Sequence, residues 1–71
     1  MKDSIDLESR GYSEWLALIN EWIFDERDRR LLTRHLLDGV ALNKCGAEIG
    51  LEWRQTQRRY NRAVKQLARH S

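Results

Sequence analysis

The chain of 71 residues is 41% apolar and 34% charged, with a net charge of +2, which suits one small globular domain. So short a chain has little room to enclose a catalytic cleft, so we expect neither an enzyme nor a cofactor. Its single cysteine, Cys45, excludes an intrachain disulfide, and no Cys/His spacing predicts a metal site.

The apolar pattern gives no sign of a membrane protein. No apolar run approaches the about 18 residues that a membrane span needs, and the first ten residues lack the apolar centre of a signal peptide. We therefore expect a cytoplasmic protein without a membrane contact.

The chain contains no proline and no run that alternates apolar and polar residues. These features predict an all-α fold, a small bundle of about four helices that includes a helix-turn-helix. Residues 1–12 are polar and weakly patterned, so we expect a flexible N-terminal arm there. Residues 13–71 are expected to form the single domain.

The first predicted helix has the sequence SEWLALINEWIF. Ser13 suits its first turn, because a serine side chain accepts hydrogen bonds from amides that have no partner within the helix. Trp15, Ile19 and Trp22 fall on one face. Trp15 and Trp22 either complete the core of a small domain or leave an apolar patch through which a homodimer forms.

The second helix is predicted over Asp25–Asp38, with acids in its first turn and Gly39 as its stop. Leu31, Leu32 and Leu36 are expected to face inward. Together they predict that this helix supplies part of the core.

A short helix is predicted over residues 42–49, a turn at Gly50, and a longer helix over residues 53–68. This spacing is typical of a helix-turn-helix, in which the second helix contacts the DNA major groove.

The fourth helix has two distinct sides when its residues are stepped by about 100° each. Thr56, Tyr60, Ala63 and Leu67 form a stripe that we expect to pack. Trp53, on the shoulder of that stripe, either supports the core or contacts the edge of a DNA groove. The opposite side, here named the cationic face, consists of Arg54, Arg58, Asn61, Arg62, Lys65 and Arg69.

Charge is divided unevenly along the chain. Residues 1–51 carry seven Lys/Arg and ten Asp/Glu, whereas residues 52–71 carry six Lys/Arg and Glu52 alone. Ordinary solvated helices interleave the two signs, and this one does not. The imbalance predicts an anionic partner for the C-terminal helix.

The residue types of this helix suit double-stranded DNA. Arginine donates two hydrogen bonds to guanine, and glutamine and asparagine pair with adenine, whereas the later cations suit phosphates. The predicted DNA-binding residues are Arg54, Gln55, Gln57, Arg58, Arg59, Asn61, Arg62, Lys65 and Arg69. Two alternatives stay open: a module that binds an acidic protein, and a DNA-binding subunit of a packaging or recombination assembly.

The segment ERDRRLLTRHLLDGVALNKCGAEIGLEWRQTQRRYNRAVKQL resembles the fourth conserved region of bacterial sigma factors. Gly39, Gly50 and Leu51 match the family's punctuation without an insertion, and RYNRA matches its R-hydrophobic-x-R-A ending. The chain differs from the family at four positions. In the short helix, Cys45 and Gly46 stand where the family has a buried isoleucine and a small alanine, and in the recognition helix Glu52 and Thr56 stand where it has a serine at the start and a buried valine.

The resemblance implies a helix-turn-helix domain that binds DNA and regulates transcription. In so short a chain it implies a small regulator of the kind that phages and mobile elements carry. An RNA polymerase contact, and a place at the nucleoid or in the cytoplasm of a virus host, are further expectations from the same resemblance.

Overall fold

The computed structural model describes residues 5–70, which form four α-helices and contain no β-strand. Their bounds are α1 Tyr12–Trp22, α2 Glu26–Leu31, α3 Leu42–Glu48 and α4 Trp53–His70. A short 3-10 turn, Leu7–Ser9, precedes α1, and a π-helical segment, Leu32–Leu37, continues α2. The predicted all-α fold is confirmed.

The N-terminal segment, where a flexible arm is expected, forms several contacts over the residues that the structure describes. Asp6 caps the 3-10 turn, and the indole Nε1 of Trp15 donates to the Leu7 carbonyl over 3.1 Å. Ile5 packs against the core. Residues 1–4 of the predicted arm lie outside the described residues.

Helix α1 begins at Tyr12, so Ser13 lies inside its first turn and is not the cap. Glu14 accepts a 3.0 Å hydrogen bond from the Gly11 amide, which holds the start of the helix. At the other end, Arg29 donates to the carbonyls of Asn20 and Ile23. Because a cation satisfies these terminal carbonyls, α1 ends at Trp22 and does not reach Phe24.

The second predicted helix starts as expected and then widens. Asp25 caps it by accepting from the Arg27 amide at 2.8 Å. From Leu32 onward the hydrogen bonds run to the fifth residue back, as between the Asp38 amide and the Thr33 carbonyl. The helix predicted over Asp25–Asp38 is therefore present, but its second half is π-helical, which the sequence pattern did not predict.

The core lies between α1, the π-helical segment and α4. Ile19, Leu32 and Leu67 are fully buried within it. The wider π turn places residues four and five apart on one side, so Leu36 and Leu37 both pack against this core. The inward orientation predicted for Leu31, Leu32 and Leu36 agrees with the structure.

Helix α3 is fixed to the π-helical segment by an ion pair. The Arg34 guanidinium donates to both carboxylate oxygens of Glu48, at 2.8 and 3.2 Å. This contact raises the pKa of Arg34 and lowers the pKa of Glu48. Cys45 is buried beside it, and burial raises the pKa of its thiol.

The turn between α3 and α4 depends on Gly50, whose φ of +77° favours glycine. The Leu51 amide donates to the Gly46 carbonyl at 2.9 Å, which closes the end of α3. Four residues, 49–52, thus separate α3 from α4 and form the turn of the helix-turn-helix.

Candidate nucleic-acid interface

Helix α4 is positioned by the predicted stripe. Thr56, Ala63 and Leu67 are buried, and Tyr60 and Val64 pack against the core from either side of them. The ring of Tyr60 meets His35 edge-on, with 5.0 Å between centroids, and burial raises the pKa of the Tyr60 hydroxyl. The expected orientation of α4 therefore agrees with the structure.

Two of the departures from the sigma pattern, Gly46 and Thr56, lie against each other. A Cβ atom at Gly46 would stand 1.9 Å from Oγ1 of Thr56, so only glycine fits at this point of α3. The Thr56 hydroxyl donates back to the Glu52 carbonyl at 2.9 Å, which satisfies it in the buried contact. The pair sets a close approach of α3 and α4.

The first turn of α4 uses one predicted base-contacting residue internally. The side-chain oxygen of Gln55 accepts from the Glu52 amide at 3.4 Å, the geometry of half a capping box. This long hydrogen bond is weak, and the Gln55 side chain is exposed. Gln55 can therefore give up this bond to contact a ligand.

Trp53, the first residue of α4, is 49% exposed. Trp53 is not among the buried core residues or the apolar residues packed against them, so the expected support of the core is not seen. An exposed tryptophan therefore stands at the end of the helix where the base-contacting residues were predicted.

Arg59 is placed differently from the other predicted DNA-binding residues. Its guanidinium lies 3.1 Å from Asp28 and 3.4 Å from Asp25, and it is half-buried. These contacts raise the pKa of Arg59. Arg59 connects α4 to the start of α2, so its contacts stabilise the fold in the absence of a ligand.

The remaining predicted residues lie on the surface of α4. All are exposed: Arg54, Gln55, Gln57, Arg58, Asn61, Arg62, Lys65 and Arg69. Within residues 5–70, none of the five cations of the cationic face forms an ion pair with a carboxylate. Arg58, Arg59 and Arg62 also line a polar hollow of about 200 Å³ with Gln55.

The far end of α4 is held by an aromatic contact that the sequence pattern did not predict. The rings of His70 and Trp22 stack with centroids 3.7 Å apart and planes 2° apart. Trp15 is only 2% exposed. Trp15 therefore belongs to the core and is not exposed for the homodimer predicted through Trp15 and Trp22, whereas Trp22 stays partly exposed.

The described part of the chain offers neither a cluster of metal ligands nor a helix that could span a membrane. No group of three or more Cys, His, Asp or Glu side chains is placed to hold a metal ion. No helix there is both long and apolar enough to cross a membrane.

Comparison with protein-family models, with curated proteins and with solved structures gives no match for this chain.

Proposed function

We propose that the protein binds double-stranded DNA by placing α4 in the major groove. The observation that carries the proposal is the cationic face, whose five Lys/Arg side chains are exposed without a carboxylate partner among residues 5–70. Cations arranged in this way attract a polyanion, because no acidic neighbour neutralises them first.

The dimensions of α4 suit a major groove. Its 18 residues correspond to about 27 Å at about 1.5 Å per residue. The major groove is about 12 Å wide and admits one such helix. Since the buried stripe holds the opposite side, the cationic face is the side that enters the groove.

The polar residues of α4 divide by position. Arg54, Gln57 and Arg58 lie toward its N-terminal half, where helices of this motif contact base edges. Arg62, Lys65 and Arg69 lie further along and suit phosphates, which orient a protein without specifying sequence. Arg59 leaves this set, because Asp25 and Asp28 already pair with it.

The resemblance to the fourth sigma region supports a regulatory use of this contact. On that basis we propose a small transcriptional regulator of the cytoplasm or nucleoid, which binds an operator-like sequence. A contact with RNA polymerase is a further proposal that rests on the resemblance alone.

Selection from a random duplex library, followed by sequencing of the bound fraction, identifies the preferred site. Arg58→Ala is then expected to weaken binding to that site by about 1–3 kcal/mol and to relax the choice of one base. Lys65→Ala should weaken binding to all duplexes alike. It should also make the slope of the logarithm of affinity against the logarithm of salt concentration shallower by about one.

Arg30→Ala is the matched control, because Arg30 is an equally exposed arginine whose neighbouring groove includes no residue of α4. Arg30→Ala should leave the affinity for the selected duplex and for a duplex of unrelated sequence nearly unchanged. Absence of binding to any duplex at low salt would overturn the proposal and favour an acidic protein as the partner.

A further inference from the structure

The most exposed large apolar side chain of the described residues is not on α4. Phe24, in the loop between α1 and α2, is 77% exposed, more than Trp53 or Tyr12. An exposed phenylalanine costs free energy in water unless something covers it. Its surroundings indicate what that partner is.

The loop that carries Phe24 is held on both sides. Ile23, before it, is 3% exposed, and its carbonyl accepts from Arg29. Asp25, after it, caps α2 and contacts Arg59. Because both neighbours are fixed, Phe24 is presented with little backbone freedom left to lose on binding.

Phe24 forms one wall of a cleft of about 270 Å³ between this loop and α4. The apolar part of the lining comes from Trp22, Ile23 and Ala63. Its charged lining residues are Arg62, Asp25 and Asp28, and the two acids also contact Arg59. One surface thus combines a projecting aromatic ring, an apolar hollow and charges of both signs.

We propose that a second copy of this chain occupies the cleft in a two-fold arrangement. Each Phe24 would enter the cleft of the other copy, and Arg62 would face the partner's Asp25. A two-fold contact needs a surface that complements itself, and a ring beside a hollow with both charges at its rim meets that need. The contact is expected in the absence of DNA. Because it uses Arg62, it would compete with the phosphate contact proposed for that residue.

The dimer is expected to be weak, because the apolar part of the contact is small and small interfaces form transient complexes. Sedimentation equilibrium of the full chain in DNA-free buffer, over a wide concentration range, measures its dissociation constant. Phe24→Ser should raise that constant at least about tenfold, since each substitution removes the same ring from both copies. Arg62→Glu should also raise it.

Trp53→Ser is the matched control, because it removes another exposed aromatic ring that does not line the cleft. It should leave the dissociation constant unchanged. Far-UV circular dichroism and the urea midpoint of Phe24→Ser should match those of the unmodified chain, since Phe24 lies outside the core.

Amide chemical shifts recorded on dilution provide a second measurement that needs no variant. The shifts of Trp22, Phe24, Ala63 and Gln66 are expected to move together with concentration. A chain that stays monomeric at millimolar concentration, a dimer that Phe24→Ser leaves intact, or shifts confined to another surface would each overturn the proposal.

Discussion

Gly46 and Thr56 show how much depends on a single pair of residues. The hydroxyl of Thr56 occupies the space that a side chain at position 46 would need. α3 and α4 therefore pack as closely as they do because one of them presents no side chain. The start of α4, and with it the cationic face, takes its position from this contact.

Gly46→Ala is expected to destabilise the fold by about 1–3 kcal/mol, although alanine favours a helix over glycine by about 1 kcal/mol. The reason is the 1.9 Å approach to Oγ1 of Thr56, which only a shift of α3 or a new rotamer can relieve. Urea unfolding measures the effect. Adding Thr56→Ala, which removes two of the three crowded atoms, should recover part of the loss; a Gly46→Ala chain as stable as the parent would contradict the packing.

The free energy of unfolding is expected to depend on pH through Asp25 and Glu48. The pKa of Asp25 is lowered, first by the hydrogen bond from the Arg27 amide, and the pKa of Glu48 is lowered by its hydrogen bonds from Arg34. A carboxyl whose pKa is lower in the folded chain stabilises it above the unfolded pKa of about 4. That contribution is lost as the pH falls through the folded pKa.

The urea midpoint is therefore expected to fall between pH 7 and pH 3. In Glu48→Gln it should start lower at pH 7 and then fall less. Glu21→Gln is the control, since Glu21 is exposed and forms no ion pair within residues 5–70. Equal falls in the parent chain and in Glu48→Gln would show that the contact with Arg34 contributes nothing.

At the scale of elements, the helices follow from the sequence better than their ends do. Apolar spacing located all four helices, because burial of one face decides where a helix lies. Ser13 failed as a cap because Gly11 and Glu14 already satisfy that end. The end of α1 depends on Arg29, which follows it in the chain and gives no sign of its contact in the sequence.

The candidate interface was predictable for a similar reason. The cationic face lies opposite the buried stripe, so the period of α4 fixes both sides at once. Arg59 and Trp53 were not predictable from this period. Arg59 pairs with an acid 31 residues away, and Trp53 is left outside the core cluster, so both outcomes depend on tertiary packing.

Helix α4 carries its own prediction at Trp53. Because this ring is half exposed, Trp53→Ala should change the free energy of unfolding by only about 0.5 kcal/mol. The affinity of the Trp53→Ala chain for the selected duplex should nevertheless fall several-fold, and the Trp53→Phe chain should retain part of the parent's affinity. A large loss of stability on thermal unfolding would instead place the ring within the core.

At the scale of the whole molecule, charge is separated by element. α4 carries six Lys/Arg and no Asp or Glu, whereas the remaining chain is acidic on balance. Positive charge is therefore concentrated on the exposed side of α4, and the excess of negative charge lies in the other elements. Arg59 is the point where the two meet, because it alone of the six pairs with acids among the described residues.

This separation predicts the salt dependence of the proposed DNA binding. If all five cations of the cationic face contact phosphates, the logarithm of affinity should fall with the logarithm of salt concentration with a slope of about −4.5. Base contacts by Arg54 and Arg58 would reduce it to about −3. Fluorescence anisotropy of a labelled duplex gives the slope; a value near zero would exclude a phosphate-based contact.

The three tryptophans occupy three different environments: Trp15 is buried, Trp22 is stacked on His70 at the proposed dimer cleft, and Trp53 is exposed on α4. The chain therefore contains one fluorescent reporter each for duplex binding, self-association and unfolding. Emission from Trp53 should respond to duplex, that from Trp22 to self-association, and that from Trp15 to unfolding. Chains that retain a single tryptophan would let the three equilibria be followed separately without an added label.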